Sequence, residues 1–188
     1  MSEQIRINKV VSNLQVETHL TGRFNIRGLE ERMRHYYTPG VNITVVSGGR
    51  VAWSKGFGYK NILTKEKAGD DTLFLAGSVS KPVFALAVSK LAEAGRLDLD
   101  TDVNNYLKRW KIPKNGGWQP GIKMRQLLSH TAGMTVQGFP GYRQSDDIPG
   151  IIEILNGLPP ANTDPVAVNV LPGTMMRYSG GGLTVAQL

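Results

Sequence analysis

Between Ser78 and Ala94 the chain carries Val83, Phe84, Leu86, Ala87, Val88, Leu91 and Ala92, apolar residues that fall on nearly every face of a single helix. Such a helix has no side to give to water, so the sequence predicts that it is buried by other elements. Gly95 supplies a C-terminal stop. Pro82 lacks an N–H and is tolerated only in a first turn, which puts the helix start close to Ser78. That start sets Ser78 and Lys81 three residues apart on one face, within reach of each other. A serine in the first turn also sits among unpaired backbone N–H groups. A lysine beside apolar neighbours loses solvation, which favours the neutral amine that a general base requires. Ser-x-x-Lys alone is common on helix surfaces. Its setting at the head of an apolar helix is what points to nucleophilic chemistry.

Composition narrows the alternatives. The 188 residues, 40% hydrophobic and 20% charged, suit a domain or part of a larger one. With no cysteine, disulfides, thiolate catalysis and Cys-ligated zinc are excluded. His19, His35 and His130 lie in unrelated contexts without metal-ligand spacing, so each is expected on the surface or in packing, and no cofactor or metal is expected. The net charge of +7 is spread from Arg6 to Arg177 without a dense block, which argues against a nucleic-acid partner. No run approaches the roughly 18 apolar residues of a membrane helix, and the N-terminus has no signal-peptide core, so the expectation is a cytoplasmic protein with no membrane partner.

Elsewhere, Ile26, Leu29, Met33 and Tyr36 predict an amphipathic helix that ends at Thr38-Pro39-Gly40. Alternation over Val41–Val45 and Val51–Tyr59, broken by Ser47-Gly48-Gly49-Arg50, predicts a β-hairpin that belongs to a larger sheet. Short helices are expected toward Trp110, over 123–129 and around 148–156. Pro172-Gly173-Thr174 then leads to Tyr178-Ser179-Gly180-Gly181-Gly182, where a tight turn would push Tyr178 into a cleft. A phenol near a lysine can have its pKa lowered and shuttle protons.

Taken in order, Ser78-x-x-Lys81, the segment Leu127-Leu128-Ser129-His130-Thr131-Ala132-Gly133-Met134, and Pro172-Gly173-Thr174 leading to Tyr178-Ser179-Gly180 resemble the serine β-lactamase and penicillin-binding-protein superfamily. The likeness is to its class C branch, which includes related esterases and D-amino-acid peptidases. The resemblance implies an α/β (α+β) fold, a sandwich of antiparallel sheet and helices with an all-α subdomain. Residues 1–97 would hold the N-terminal part of the α/β domain, 98–170 the helical subdomain, and 171–188 the Tyr-Ser-Gly loop with the start of the next helix. It further implies a serine hydrolase: Ser78 attacks a carbonyl of an ester, amide or lactam, Lys81 assists its deprotonation, and Tyr178 relays the proton to the leaving group. An acyl-enzyme results. The Ser78 N–H would serve as one oxyanion donor. His130 has no catalytic role in this scheme.

Two departures shape the expectation. Gly180 stands in the substrate-binding position where many β-lactamases of this branch carry asparagine, and the missing amide argues for esters over β-lactams. The resemblance also implies a third motif, Lys or His followed one residue later by Gly, after Tyr178; Lys114-Asn115-Gly116 matches its letters only. The third motif, a second oxyanion donor, further strands and a C-terminal helix are therefore expected from a complementing C-terminal chain or homo-oligomer, unless the chain is truncated. The alternative function is a catalytically incomplete module that binds a ligand or a complementing chain without turnover. The expected partner is a small-molecule acyl substrate.

Overall fold

The computed structural model describes residues 2–14 and 27–188. The chain folds as two compact units, Met1–Leu75 and Ala76–Leu188.

The first unit opens with α1, Glu3–Val11, a helix that the sequence pattern does not announce. Glu3 in its first turn and Lys9 in its last complement the helix dipole, and Ile7 is buried. Helix α2 spans Leu29–His35; Ile26 of the expected helix, like His19, lies outside the described residues. Tyr37 takes the left-handed conformation after α2, and Thr38 N–H bonds back to Met33 O at 2.8 Å. The hairpin forms as its alternation predicts: β1 (Gly40–Ser47) pairs antiparallel with β2 (Arg50–Asn61) around Gly48 and Gly49. A short β3 (Glu66–Lys67) adds to β2, so the sheet order is β1-β2-β3. Trp53 is buried on this sheet. The Asn42 amide donates to Gly69 O at 3.1 Å and fastens the segment that follows β3.

The second unit carries the site. A 3₁₀ turn, Gly77–Val79, runs directly into α3, Ser80–Glu93, with Pro82 in its first turn. Gly95 ends the helix at φ +67°, and Arg96 N–H returns to Leu91 O. The expectation of an all-round buried helix is not met. Val88 faces the unit's core, whereas Val79, Val83 and Leu86 are each more than 60% exposed. An apolar surface requires a covering but does not supply one, and this unit's own core reaches one side of α3.

That core gathers Val88 with Val103, Leu107, Ile112, Ile122, Met124, Leu127, Ala132, Met134, Leu155, Val166, Val168 and Val185. It is built from short elements: a 3₁₀ turn at Val103–Asn105 capped by Asp102, α4 (Met124–Leu128), α5 (Ile151–Asn156) and α6 (Gly180–Gln187). Isolated antiparallel bridges tie the connecting segments, with Val103 N–H bonded to Ile122 O at 2.7 Å and Thr135 N–H to Ala167 O at 2.8 Å. Helix α6 packs close because its first turn has no side chains. A Cβ on Gly181 would stand 2.9 Å from Val166 Cγ2 and 3.0 Å from Thr135 O. No helix among the described residues is long and apolar enough to cross a membrane.

Leu127 is 1% exposed, and its side chain lies beside the first turn of α6. Leu127→Ala is expected to cost about 2–5 kcal/mol, the transfer term plus the cavity, measured as a lower urea midpoint with an unchanged m-value.

Candidate active site

Three side chains meet at the N-terminal end of α3. The Lys81 ammonium donates to Ser78 Oγ at 2.9 Å, and Ser78 Oγ lies 2.8 Å from Tyr178 Oη, where either oxygen can be the donor. Lys81 Nζ is also 5.2 Å from the centre of the Tyr178 ring. Ser78 and Lys81 come together by helical spacing; Tyr178 arrives from one hundred residues further along the chain.

The segment before α6 puts the phenol there. Ser179 caps α6: its hydroxyl accepts from Gly182 N–H at 2.8 Å and donates to Thr135 O at 2.6 Å. Gly180 and Gly181 N–H groups bond to Gln137 O and Val136 O. On the other side, Arg177 N–H donates to His130 O at 2.8 Å, and its guanidinium donates to Gly133 O and Asn169 Oδ1. Tyr178 is therefore clamped from both flanks. The helix order and the Pro-Gly-Thr turn announce this loop, but not the irregular segment Thr135–Gln137, with Val136 at φ +59°, whose carbonyls hold it.

The charges fit a proton path. The Lys81 ammonium first, and the Ser78 hydrogen bond second, hold the Tyr178 phenol below its ordinary 10.0. An opposite charge beside a group that ionises to an anion stabilises the ionised form. Lys81 is half-buried, less enclosed than its apolar sequence neighbours suggest, because the exposed residues of α3 flank it.

The triad opens into a cleft of about 510 Å³, also lined by Phe84, Gln137 and Phe139. Gly180 lines it too, and its N–H is already committed to Gln137 O at 2.9 Å. A Cβ at this position would lie 3.2 Å from Gln137 O and 3.2 Å from the Phe139 ring. The space that a side chain at 180 would enter is thus taken by Phe139, a residue that no pattern in the sequence singles out. His130 takes the packing place expected of it, with its ring centre 4.3 Å from that of Tyr178 and the planes tilted by 35°. Its place in the Ser-His-Thr-Ala-Gly segment is visible in the sequence, but its contact across the fold is not. Among the described residues, no group of three or more His, Cys, Asp or Glu side chains is placed to hold a metal ion.

Comparison with known proteins places this geometry in context. A family model described as Beta-lactamase matches residues 26–188. Protein flp of Staphylococcus aureus (strain N315) is 35% identical over 106 residues, which cover 56% of this chain and 21% of that protein. Among solved structures, EstCE1, described as a hydrolase with promiscuous acyltransferase activity, aligns with a TM-score of 0.62 at 28% identity over 84% of this chain and 45% of that one. The octameric penicillin-binding protein homologue from Pyrococcus abyssi aligns with a TM-score of 0.61 at 23% identity over 84% of this chain and 35% of that one, a likeness of fold alone. The chain spans about a fifth of the length of the curated relatives it first matches. Its mixture of helices with a part of an antiparallel sheet is the β-lactamase-like fold of these neighbours.

Replacing Lys81 by Met is expected to raise the Tyr178 pKa toward 10.0. Ultraviolet titration of phenolate absorbance checks this. Tyr59, whose phenol is lowered chiefly by Lys67, is an internal reference that the change leaves in place.

Proposed function

We propose, from the premise that this chain belongs to the Beta-lactamase family, a family of hydrolases, that Ser78 is the nucleophile of an acyl-transfer reaction in which Tyr178 moves the proton and the Lys81 ammonium assists by stabilising the phenolate. The observation that carries this reading is the continuous contact Lys81–Ser78–Tyr178, at 2.9 and 2.8 Å. Those distances lie within the range a general base needs to take a proton from its nucleophile.

In the forward step, Ser78 Oγ adds to the carbonyl carbon of the substrate and its proton passes to the Tyr178 oxygen. The Lys81 ammonium stabilises the phenolate before transfer and lies beside Ser78 Oγ throughout. The carbonyl π pair moves to oxygen, where the Ser78 backbone N–H serves as one donor to the developing oxyanion. Collapse breaks the bond to the leaving group, which takes the proton back from Tyr178. The product is an ester on Ser78 and a free alcohol or amine. Attack by water or another alcohol, with Tyr178 again accepting the proton, releases the acyl group and restores the serine.

The substrate class follows from Gly180. Without a side-chain amide at this position, the cleft has no donor there for a substrate amide carbonyl, while an ester gives up less. Phe84 and Phe139 offer the acyl group apolar surface. Simple carboxylic esters are therefore the proposed substrates, ahead of β-lactams. The description of EstCE1 as a hydrolase with promiscuous acyltransferase activity supports acyl transfer as the reaction type.

The test is labelling of the purified protein with a fluorophosphonate, followed by peptide mapping. One adduct on Ser78, absent from Ser78→Ala and formed about 10²–10⁴-fold more slowly in Tyr178→Phe, is the expected result. An adduct on another residue, or none, refutes the assignment. With p-nitrophenyl acetate and a chromogenic cephalosporin as the two substrates, kcat/KM is expected to favour the ester by about tenfold or more.

A further inference from the structure

His130 sits where the proposed mechanism does not use it, yet it touches the residue on which that mechanism turns. Its Nδ1 accepts a hydrogen bond from Ser179 N–H at 3.2 Å, and its ring faces that of Tyr178. The backbone is equally committed. His130 has φ +58°, its N–H bonds to Leu127 O, and its carbonyl receives Arg177 N–H. The imidazole and carbonyl of one residue thus hold the chain on both sides of Tyr178.

We infer that His130 is a positioning residue for the reaction proposed above: its neutral imidazole holds the Tyr178 phenol at Ser78, and protonation of that imidazole releases it.

The chemistry of the ring requires the first half. A neutral imidazole that accepts at Nδ1 carries its proton on Nε2, whereas the imidazolium has N–H on both nitrogens and nothing with which to accept. Protonation would turn Nδ1–H toward Ser179 N–H, donor against donor, and the segment carrying Tyr178 would lose one of its anchors. The surroundings do nothing to stabilise the cation. His130 shares a hollow of about 450 Å³ with Pro82, Ala85, Leu128 and Leu183, and among the described residues the other titratable groups lining it are Lys81 and Tyr178, with no carboxylate. On neighbouring segments, the Arg177 guanidinium is bonded to Gly133 and Asn169, and that of Arg125 to Asp100. Burial first, and the Lys81 charge second, lower the His130 pKa below its usual 6.5. The neutral, accepting form therefore prevails at neutral pH and is lost on acidification through that lowered value.

Two variants separate this role from packing. His130→Asn offers Ser179 N–H an acceptor oxygen and tolerates the left-handed backbone, but does not titrate. His130→Phe keeps a ring against Tyr178 and loses the acceptor. The rate of Ser78 labelling by a fluorophosphonate is followed against pH, with melting temperatures recorded to confirm that each variant is folded. In the parent protein the rate is expected to fall through a step below pH 6.5. His130→Asn is expected to remove that step and to keep the neutral-pH rate within about threefold, whereas His130→Phe slows labelling about tenfold or more across the range. A step that persists in His130→Asn, or an Asn variant as slow as the Phe variant, overturns the inference. The proposed reaction fails separately, if Ser78 of the parent protein does not label at any pH. In that case ¹⁵N spectra of the histidine ring decide: titration of His130 that moves the Tyr178 ring resonances supports the positioning role, and unmoved resonances overturn it.

Discussion

The Ser179 hydroxyl is the fastening on which the arrangement depends. It is 3% exposed, and it joins the start of α6 to the Thr135 carbonyl while capping Gly182 N–H. A buried hydroxyl engaged on both sides gains the net strength of its bonds, and removing it leaves a donor and an acceptor unsatisfied. Because Tyr178 is the preceding residue, the direction of its side chain depends on this bond together with the Arg177 contacts and the bond from Ser179 N–H to the His130 ring. The placement of the phenol against Ser78 is thus a backbone matter, established one residue away from the chemistry and in a drier environment.

The glycine run that follows serves the same end by a different route. Gly181 lets α6 approach Val166 and Thr135 more closely than any side chain would permit, and Gly180 yields its space to Phe139. Close approach makes the N–H groups of Gly180 and Gly181 available to Gln137 and Val136. Packing and hydrogen bonding reinforce each other here: the absence of side chains creates the distance at which the bonds form. The polarity of the cleft follows, since an aromatic ring stands beside the place where an amide might have been.

Local rules make Ser78, Lys81, the hairpin and the ends of α3 legible in the sequence. The three-residue spacing, Pro82, Gly95 and the Gly48-Gly49 turn each act over a few residues, and each appears where expected. Helix α1 is hard to read because its pattern is weakly apolar, with Ile7 alone buried. The sequence overstates the burial of α3 because apolar content states what a surface needs and not what lies against it. The contacts of His130 and Phe139 are illegible for another reason: they are made across the fold, and His130 adopts a left-handed backbone that is more usual for glycine or asparagine. The order of the three motifs, by contrast, carries the family because it encodes which distant segments meet.

That meeting has an entropic side. Ser78 and Tyr178 stand one hundred positions apart and are joined only once the chain between them has closed into a loop, and the ordering of such a loop is an entropic cost that the contact must repay. Ser78 and Lys81 are brought near each other by a single turn of helix, but the Tyr178 oxygen comes from the far end of the unit. Closure of that loop therefore belongs to the entropic cost of forming the Ser78–Tyr178 contact, while the Ser78–Lys81 contact needs only one turn of helix.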